Sequence, residues 1–196
     1  MISKGQDKAL RDNFTFGVKI GTNISNVYDS DGEAFVANAK TGLALGAFAT
    51  IPLVRLIAIQ PELLISQRGF KSSGRLLGGN YDLKRTSTFI DVPILFVFRP
   101  VDFISLLAGP QYSYLTHQRN EFKNGTTGIV QEQEFENEDL RRNLLCFTGG
   151  IDVNIKHVVV GGRFGVDLQN NRPDGSSTTP RYKNMWYQFT VGYRFF

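Results

Sequence analysis

The final stretch of the chain, NMWYQFTVGYRFF from Asn184 to Phe196, leaves little choice of conformation. Read at every second residue, it places Met185, Tyr187, Phe189, Val191, Tyr193 and Phe195 on one face. Asn184, Trp186, Gln188, Thr190, Gly192 and Arg194 fall on the other. A period of two is that of a β-strand. One face is apolar or aromatic throughout, and the sequence as given offers no later segment to cover it. Such a strand satisfies its backbone by pairing with the first strand of the same chain, which closes a barrel.

The same alternation recurs along the chain. Strand one starts at Phe14 and puts Phe14, Phe16, Val18, Ile20 and Ile24 opposite Thr15, Gly17, Lys19, Gly21 and Asn23. Further strands are predicted over Thr41–Ile51, Leu56–Phe70, Thr86–Arg99, Phe103–Thr116, Leu140–Asn154 and from Val158 to Leu168, ahead of the closing one. The connections at 26–40, 71–85, 117–139 and 169–183 are long and polar. Those after Ile51, Arg99 and Asn154 are short turns. Residues 1–13 are polar and read as a flexible tail before a single domain over 14–196.

Three regularities give the fold class. Eight neighbouring antiparallel strands are the smallest number that closes around an interior filled by side chains. Long and short connections alternate, as in outer-membrane barrels with long outer loops and short periplasmic turns. Over these spans no Asp, Glu, Lys or Arg falls on the more apolar face, whereas the other face holds Lys19, Glu62, Arg68, Asp91, Asp152, Arg163, Asp167 and Arg194. A charge at the lipid midplane of such a barrel costs about 2–4 kcal/mol, so the sorting has a physical cause. The expectation is therefore all-β: an eight-stranded antiparallel up-and-down transmembrane β-barrel of the bacterial outer membrane.

A mean hydropathy of −0.17 and the lack of any apolar run of about 18 residues exclude a spanning helix but not a barrel. MISKGQDKALRDN has no apolar middle, so a secretory leader is absent from the sequence shown and the reading is of a form from which it has been removed. The net charge of +4 comes from basic residues interspersed with acidic ones, which argues for solvated surface and no nucleic-acid partner. A single cysteine excludes a disulfide framework, and two isolated histidines make no metal site; no cofactor is expected.

Two groups of residues are candidates for a role. Inside, Lys19, Glu62, Asp91, Arg163, Asp167 and Arg194 are expected to form a lumen charge network. Lys19, Arg163 and Arg194 would bridge the lumen to Glu62 and Asp91 on adjacent strands, because charges in so narrow a space must be paired. Outside, Phe14, Phe16, Phe96, Phe98, Tyr193 and Phe195 are expected at the turn-side rim and Tyr112, Tyr114 and Tyr187 at the other, the two belts of an aromatic girdle. Inward glycines such as Gly17, Gly42, Gly109, Gly161 and Gly165 would make room for large neighbours. Pro61 and Pro110 fall on the outward face in mid-strand and call for bulges or shorter strands.

The segments FGVKIGTNIS, IQPELLISQRGF, TFIDVPILFVFRP, ISLLAGPQYSY and the ending VGYRFF resemble, in their order, the outer-membrane β-barrel domain family common in Bacteroidetes and described as PorT-like. The resemblance covers nearly the whole barrel from Phe14. It implies Glu62 after Pro61 and Asp91 before Pro93 as family positions. It also implies a terminal aromatic, Phe195 or Phe196, read by the barrel-insertion machinery. Outer-membrane lipid and lipopolysaccharide would be its surroundings.

Three functions remain in view. The first is a structural or binding protein of the envelope with a plugged lumen and no enzymatic activity. Its recognition surface would be the basic loop with Lys71, Arg75, Lys84 and Arg85 and the acidic one with Glu132, Glu134, Glu136, Glu138 and Asp139, facing lipopolysaccharide phosphates or a protein partner; solvated charge is the plainer reading of both loops. The second is a lipid A hydrolase using Ser113 and His117, four residues apart near the top of strand five, although a loop residue is the plainer reading of His117. The third is a soluble lipocalin-like binder.

Overall fold

The structure is a computed structural model that describes residues 13–28, 38–76, 79–124, 127–133, 141–170 and 182–195. These contain the strands β1 (Thr15–Tyr28), β2 (Asn38–Val54), β3 (Ile57–Leu76), β4 (Gly79–Val101), β5 (Ile104–Asn124), β6 (Thr127–Gln133), β7 (Asn143–Ile155), β8 (Val158–Asp167) and β9 (Lys183–Phe195). Every ladder is antiparallel. β9 pairs with β1, from Phe195 opposite Phe16 to Lys183 opposite Tyr28, so the last strand closes on the first. The β4–β5 ladder joins the two halves, and all strands but β6 form one closed ring of eight.

The alternation read from the sequence orients every strand of the ring. Ile20, Leu43, Leu63, Phe96, Phe147, Val191 and their alternates are exposed on the outside, while Lys19, Glu62, Asp91, Asp167 and Arg194 are buried within. The oily side chains therefore do not meet in a central core, as they would in a lipocalin-like barrel. All nine girdle aromatics lie on the exterior. Phe16 and Phe195 pair at 5.3 Å between ring centroids and Tyr193 and Phe195 at 5.2 Å at the turn-side rim; Tyr187 meets Phe164 at 5.4 Å towards the other.

Three expectations are corrected. First, 71–85 is not a loop: β3 and β4 continue through it, with Lys71 opposite Lys84 and Leu76 opposite Gly79, and rise as a hairpin above the ring. Second, 117–139 is not purely a connection. β5 runs on to Asn124 and turns into β6, a strand paired with β5 from Gln118–Gln133 to Asn124–Thr127. Polar residues on both faces hide such strands from a pattern that assumes lipid on one side. Third, no register shift occurs at Pro61 or Pro110. The β2–β3 and β4–β5 ladders skip the pairs around each proline and resume in the same register. The bulges lie instead between Ala39 and Ala44, between Pro52 and Val54, between Thr88 and Phe89, and between Phe98 and Val101. Residues 1–12, Phe196 and Glu134, Glu136, Glu138 and Asp139 of the acidic segment lie outside the described residues.

Glycine lets large side chains lie flat inside the narrow ring. A Cβ on Gly165 would fall 2.2 Å from the Trp186 indole, and one on Gly17 would fall 2.6 Å from the Phe48 ring. Trp186 thereby joins Phe89, Leu115, Leu144 and Cys146 in one apolar cluster, and Ala58, Leu95, Val97 and Leu107 form another nearer the turns.

Candidate functional site in the lumen and on the outer wall

The buried charges gather in two layers. Nearer the turns, Lys19 of β1 bonds Glu62 of β3 at 2.5 Å. Arg163 of β8 reaches the other oxygen of Glu62 at 3.4 Å and Asp152 of β7 at 3.0 Å. Gln60 donates to Glu62 at 2.8 Å and accepts from Thr50 at 3.0 Å, which fixes the carboxylate in place. Arg194 is held by Asn154.

Further up, Arg68 of β3 bonds Asp91 of β4 at 2.6 Å and approaches Asp167 of β8 at 3.7 Å. Its guanidinium lies 3.6 Å from the centroid of the Trp186 ring and 4.7 Å from that of Phe89, a stacked cation–π arrangement that arginine's flat, weakly hydrated head favours. Asp91 also accepts from Ser66, and Asp167 accepts from the Asn184 backbone N–H at 3.0 Å and from the Cys146 thiol at 3.1 Å. In ring order β3 and β8 face one another, four strands apart either way. Both layers therefore span the lumen: Glu62 to Arg163 below, Arg68 to Asp167 above. Lys19, Phe48, Gln60, Asp152, Val159, Arg163, Thr190 and Gly192 surround a cavity of about 10 Å³ beside the lower layer, room for about one water molecule.

Of the six network residues read from sequence, Lys19, Glu62 and Arg163 come together. Asp91 and Asp167 meet only through Arg68, and Arg194 turns to an asparagine. Asp91 takes its cation from β3 rather than from across the lumen. Arg68 and Asp152 also belong to the layers, and their place on the charged face is the sequence signal for both. Trp186 as a platform for Arg68 carried no sequence signal beyond its parity.

Ser113 and His117 do not assemble. Ser113 is fully buried, accepting from Arg68 at 3.3 Å and Gln111 at 3.1 Å and lying 3.4 Å from the Cys146 sulfur. The bulge between Thr88 and Phe89 inserts Thr116 into β5, so Leu115 and Gln118 both face inward. A one-residue slip changes the face of everything beyond it. His117, opposite Thr88, is thus on the other side of the wall from Ser113.

Above the apolar band the outer wall changes character. The outward residues Ile65, Ile90 and Tyr114 are succeeded by Lys71, by Thr88 and Lys84, and by Arg119 and Glu121. Lys84 meets Glu121 at 3.3 Å, and Arg119 meets Glu121 at 3.3 Å. On the inner side of the same rim Arg85 bonds Asn120 at 2.8 Å and Tyr182 at 2.9 Å, its guanidinium 5.5 Å from the centroid of the Phe70 ring.

A family described as outer membrane protein beta-barrel domain matches residues 5–192. Among solved structures, the attachment invasion locus protein Ail of Yersinia pestis, in complex with the heparin analogue sucrose octasulfate, is 18% identical. That match covers 93% of this chain and 99% of that one with a TM-score of 0.50, a likeness of fold. Neisserial surface protein A aligns at 13% identity over 93% of this chain and 99% of its own, TM-score 0.48. OprG of Pseudomonas aeruginosa aligns at 14% over 93% and 95%, TM-score 0.47. A search of curated proteins returned no match.

Proposed function

The chain belongs to the outer membrane protein beta-barrel domain family and resides in the bacterial outer membrane, and from that premise we propose a non-conducting, non-enzymatic envelope barrel that binds through its outer wall. The observation that carries this reading is the double tie between β3 and β8, Glu62 to Arg163 and Arg68 to Asp167, with a cavity of only about 10 Å³ beside the lower tie. A water-filled path needs a continuous opening, and side chains bonded across the lumen at two heights weigh against one. Plugging suits a protein whose interior is scaffold and whose work is done by the β3–β4 hairpin and the β5–β6 pair above the membrane. Against the hydrolase alternative stands the bulge that separates His117 from Ser113.

Two finer assignments go with this. The PorT-like, Bacteroidetes affiliation rests on the sequence resemblance of segments such as IQPELLISQRGF and TFIDVPILFVFRP, which carry Glu62 and Asp91. Barrel-insertion machinery is the partner of β9, whose Phe195 is presented outward at the turn-side rim. The surrounding partners are outer-membrane lipid and lipopolysaccharide.

Planar-bilayer recording of the purified barrel tests the plug. Wild type should give no discrete conductance steps across the physiological voltage range. Regular steps that persist in Phe195→Ala, a change remote from the lumen, would mean the ionic layers open and the reading fails.

A further inference from the structure

We propose that the outer wall formed by β3 and β4, centred on Lys71 and Lys84, is a clamp for saccharide-borne phosphate of lipopolysaccharide in the surrounding leaflet. The inference rests on the reading of the outer wall as the binding surface and names its ligand. Lys71 and Lys84 are directly opposed in the β3–β4 register on the outward face. Like charges placed opposite one another across a ladder are destabilising, so the pair is not there for the sheet. Lys40 on β2 is close enough to feel both charges, although its own side chain is buried and adds no exposed ammonium to the patch. The carboxylate that reaches it, Glu121, bonds Lys84 and is shared with Arg119. Among the described residues Lys71 makes no hydrogen bond or ion pair, and it is exposed. The patch carries surplus positive charge that an anion would neutralise.

Height selects the anion. Lys71 stands six residues beyond Ile65, the last apolar outward residue of β3, and Lys84 six residues beyond Ile90 on β4. At about 3.3 Å per residue and a tilt of about 40°, that is roughly 15 Å above the hydrocarbon edge. The headgroup layer is only about 5–8 Å thick on each side, so glycerophospholipid phosphates lie too low even for a lysine stem reaching down. The wall faces sideways into the leaflet, not up into the medium, so its neighbours are leaflet molecules. A phosphate at that level is carried on a sugar headgroup.

The test uses the full-length barrel in detergent with phosphorylated lipopolysaccharide, the same lipopolysaccharide after enzymatic dephosphorylation, and inorganic phosphate as a competitor. Native mass spectrometry reads the bound fraction, and heat-modifiable gel migration confirms that each variant is folded. Each lysine near an anionic surface is worth about 1 kcal/mol, so Lys71→Ala with Lys84→Ala should weaken binding of the phosphorylated form roughly thirtyfold. The dephosphorylated form should be weakened little, Lys84→Arg with Lys71→Arg should restore binding, and Lys156→Ala at the opposite rim should leave it unchanged. Equal binding of both forms, or binding indifferent to the two lysines, overturns the clamp while leaving the wall as a binding surface. No binding of either form overturns both. Complete displacement by millimolar inorganic phosphate would show a free-anion site and would also overturn the leaflet assignment.

Discussion

The two ionic layers of the lumen solve one problem in different ways. The lower layer balances Lys19 and Arg163 against Glu62 and Asp152, so Glu62 still faces Arg163 if Lys19 is lost. The upper layer has one cation, Arg68, between Asp91 and Asp167, and makes up the difference with neutral donors from Ser66, Asn184 and Cys146 and with the face of Trp186. Redundancy below and a single keystone above should give the two layers different tolerance to mutation.

The largest effect is expected at Arg68. Arg68→Met strands two buried carboxylates and should lower stability by about 3–5 kcal/mol in urea unfolding from lipid vesicles. Lys19→Met should cost about 1.5–3 kcal/mol, the range of one hydrogen bond to a charged group, because Arg163 and Gln60 still hold Glu62. If the two substitutions cost the same, the contrast between the layers is wrong. Trp186→Phe leaves a smaller aromatic face and weakens the cation–π contact, and a loss of about 1 kcal/mol is expected beyond that of Tyr187→Phe on the outer wall. Phe195→Ala removes contacts at the rim with Phe16 and Tyr193 and should cost about 0.5–1.5 kcal/mol. In cells the same variant should assemble more slowly, which a time course of heat-modifiable migration would show.

Parity was legible throughout the ring because hydrocarbon permits only one kind of residue on each outward position. The strand that closes the barrel could be read to within a residue: 184–196 against Lys183–Phe195. Pairing inside the lumen was not legible in the same way. Parity says that Asp91 faces inward, but only the register between β3 and β4 and the ring order put Arg68 beside it and Asp167 opposite. The bulge at Thr116 is hidden too, since an inserted residue in the stretch SYLTHQ (113–118) leaves no mark once lipid stops enforcing alternation. For the same reason the β3–β4 hairpin and β6 looked like loops: above the membrane neither face has to be apolar.

Cys146 offers the most direct test that the lumen is sealed. It is the only cysteine, fully buried on the inward face of β7 beside Asp167 in the upper layer. A small charged thiol reagent added to the folded barrel in lipid vesicles should leave Cys146 unmodified for hours and label it quickly once urea has unfolded the chain. Rapid labelling of the folded protein would mean that water reaches the upper layer, and the account of a barrel closed by its own ion pairs would be contradicted.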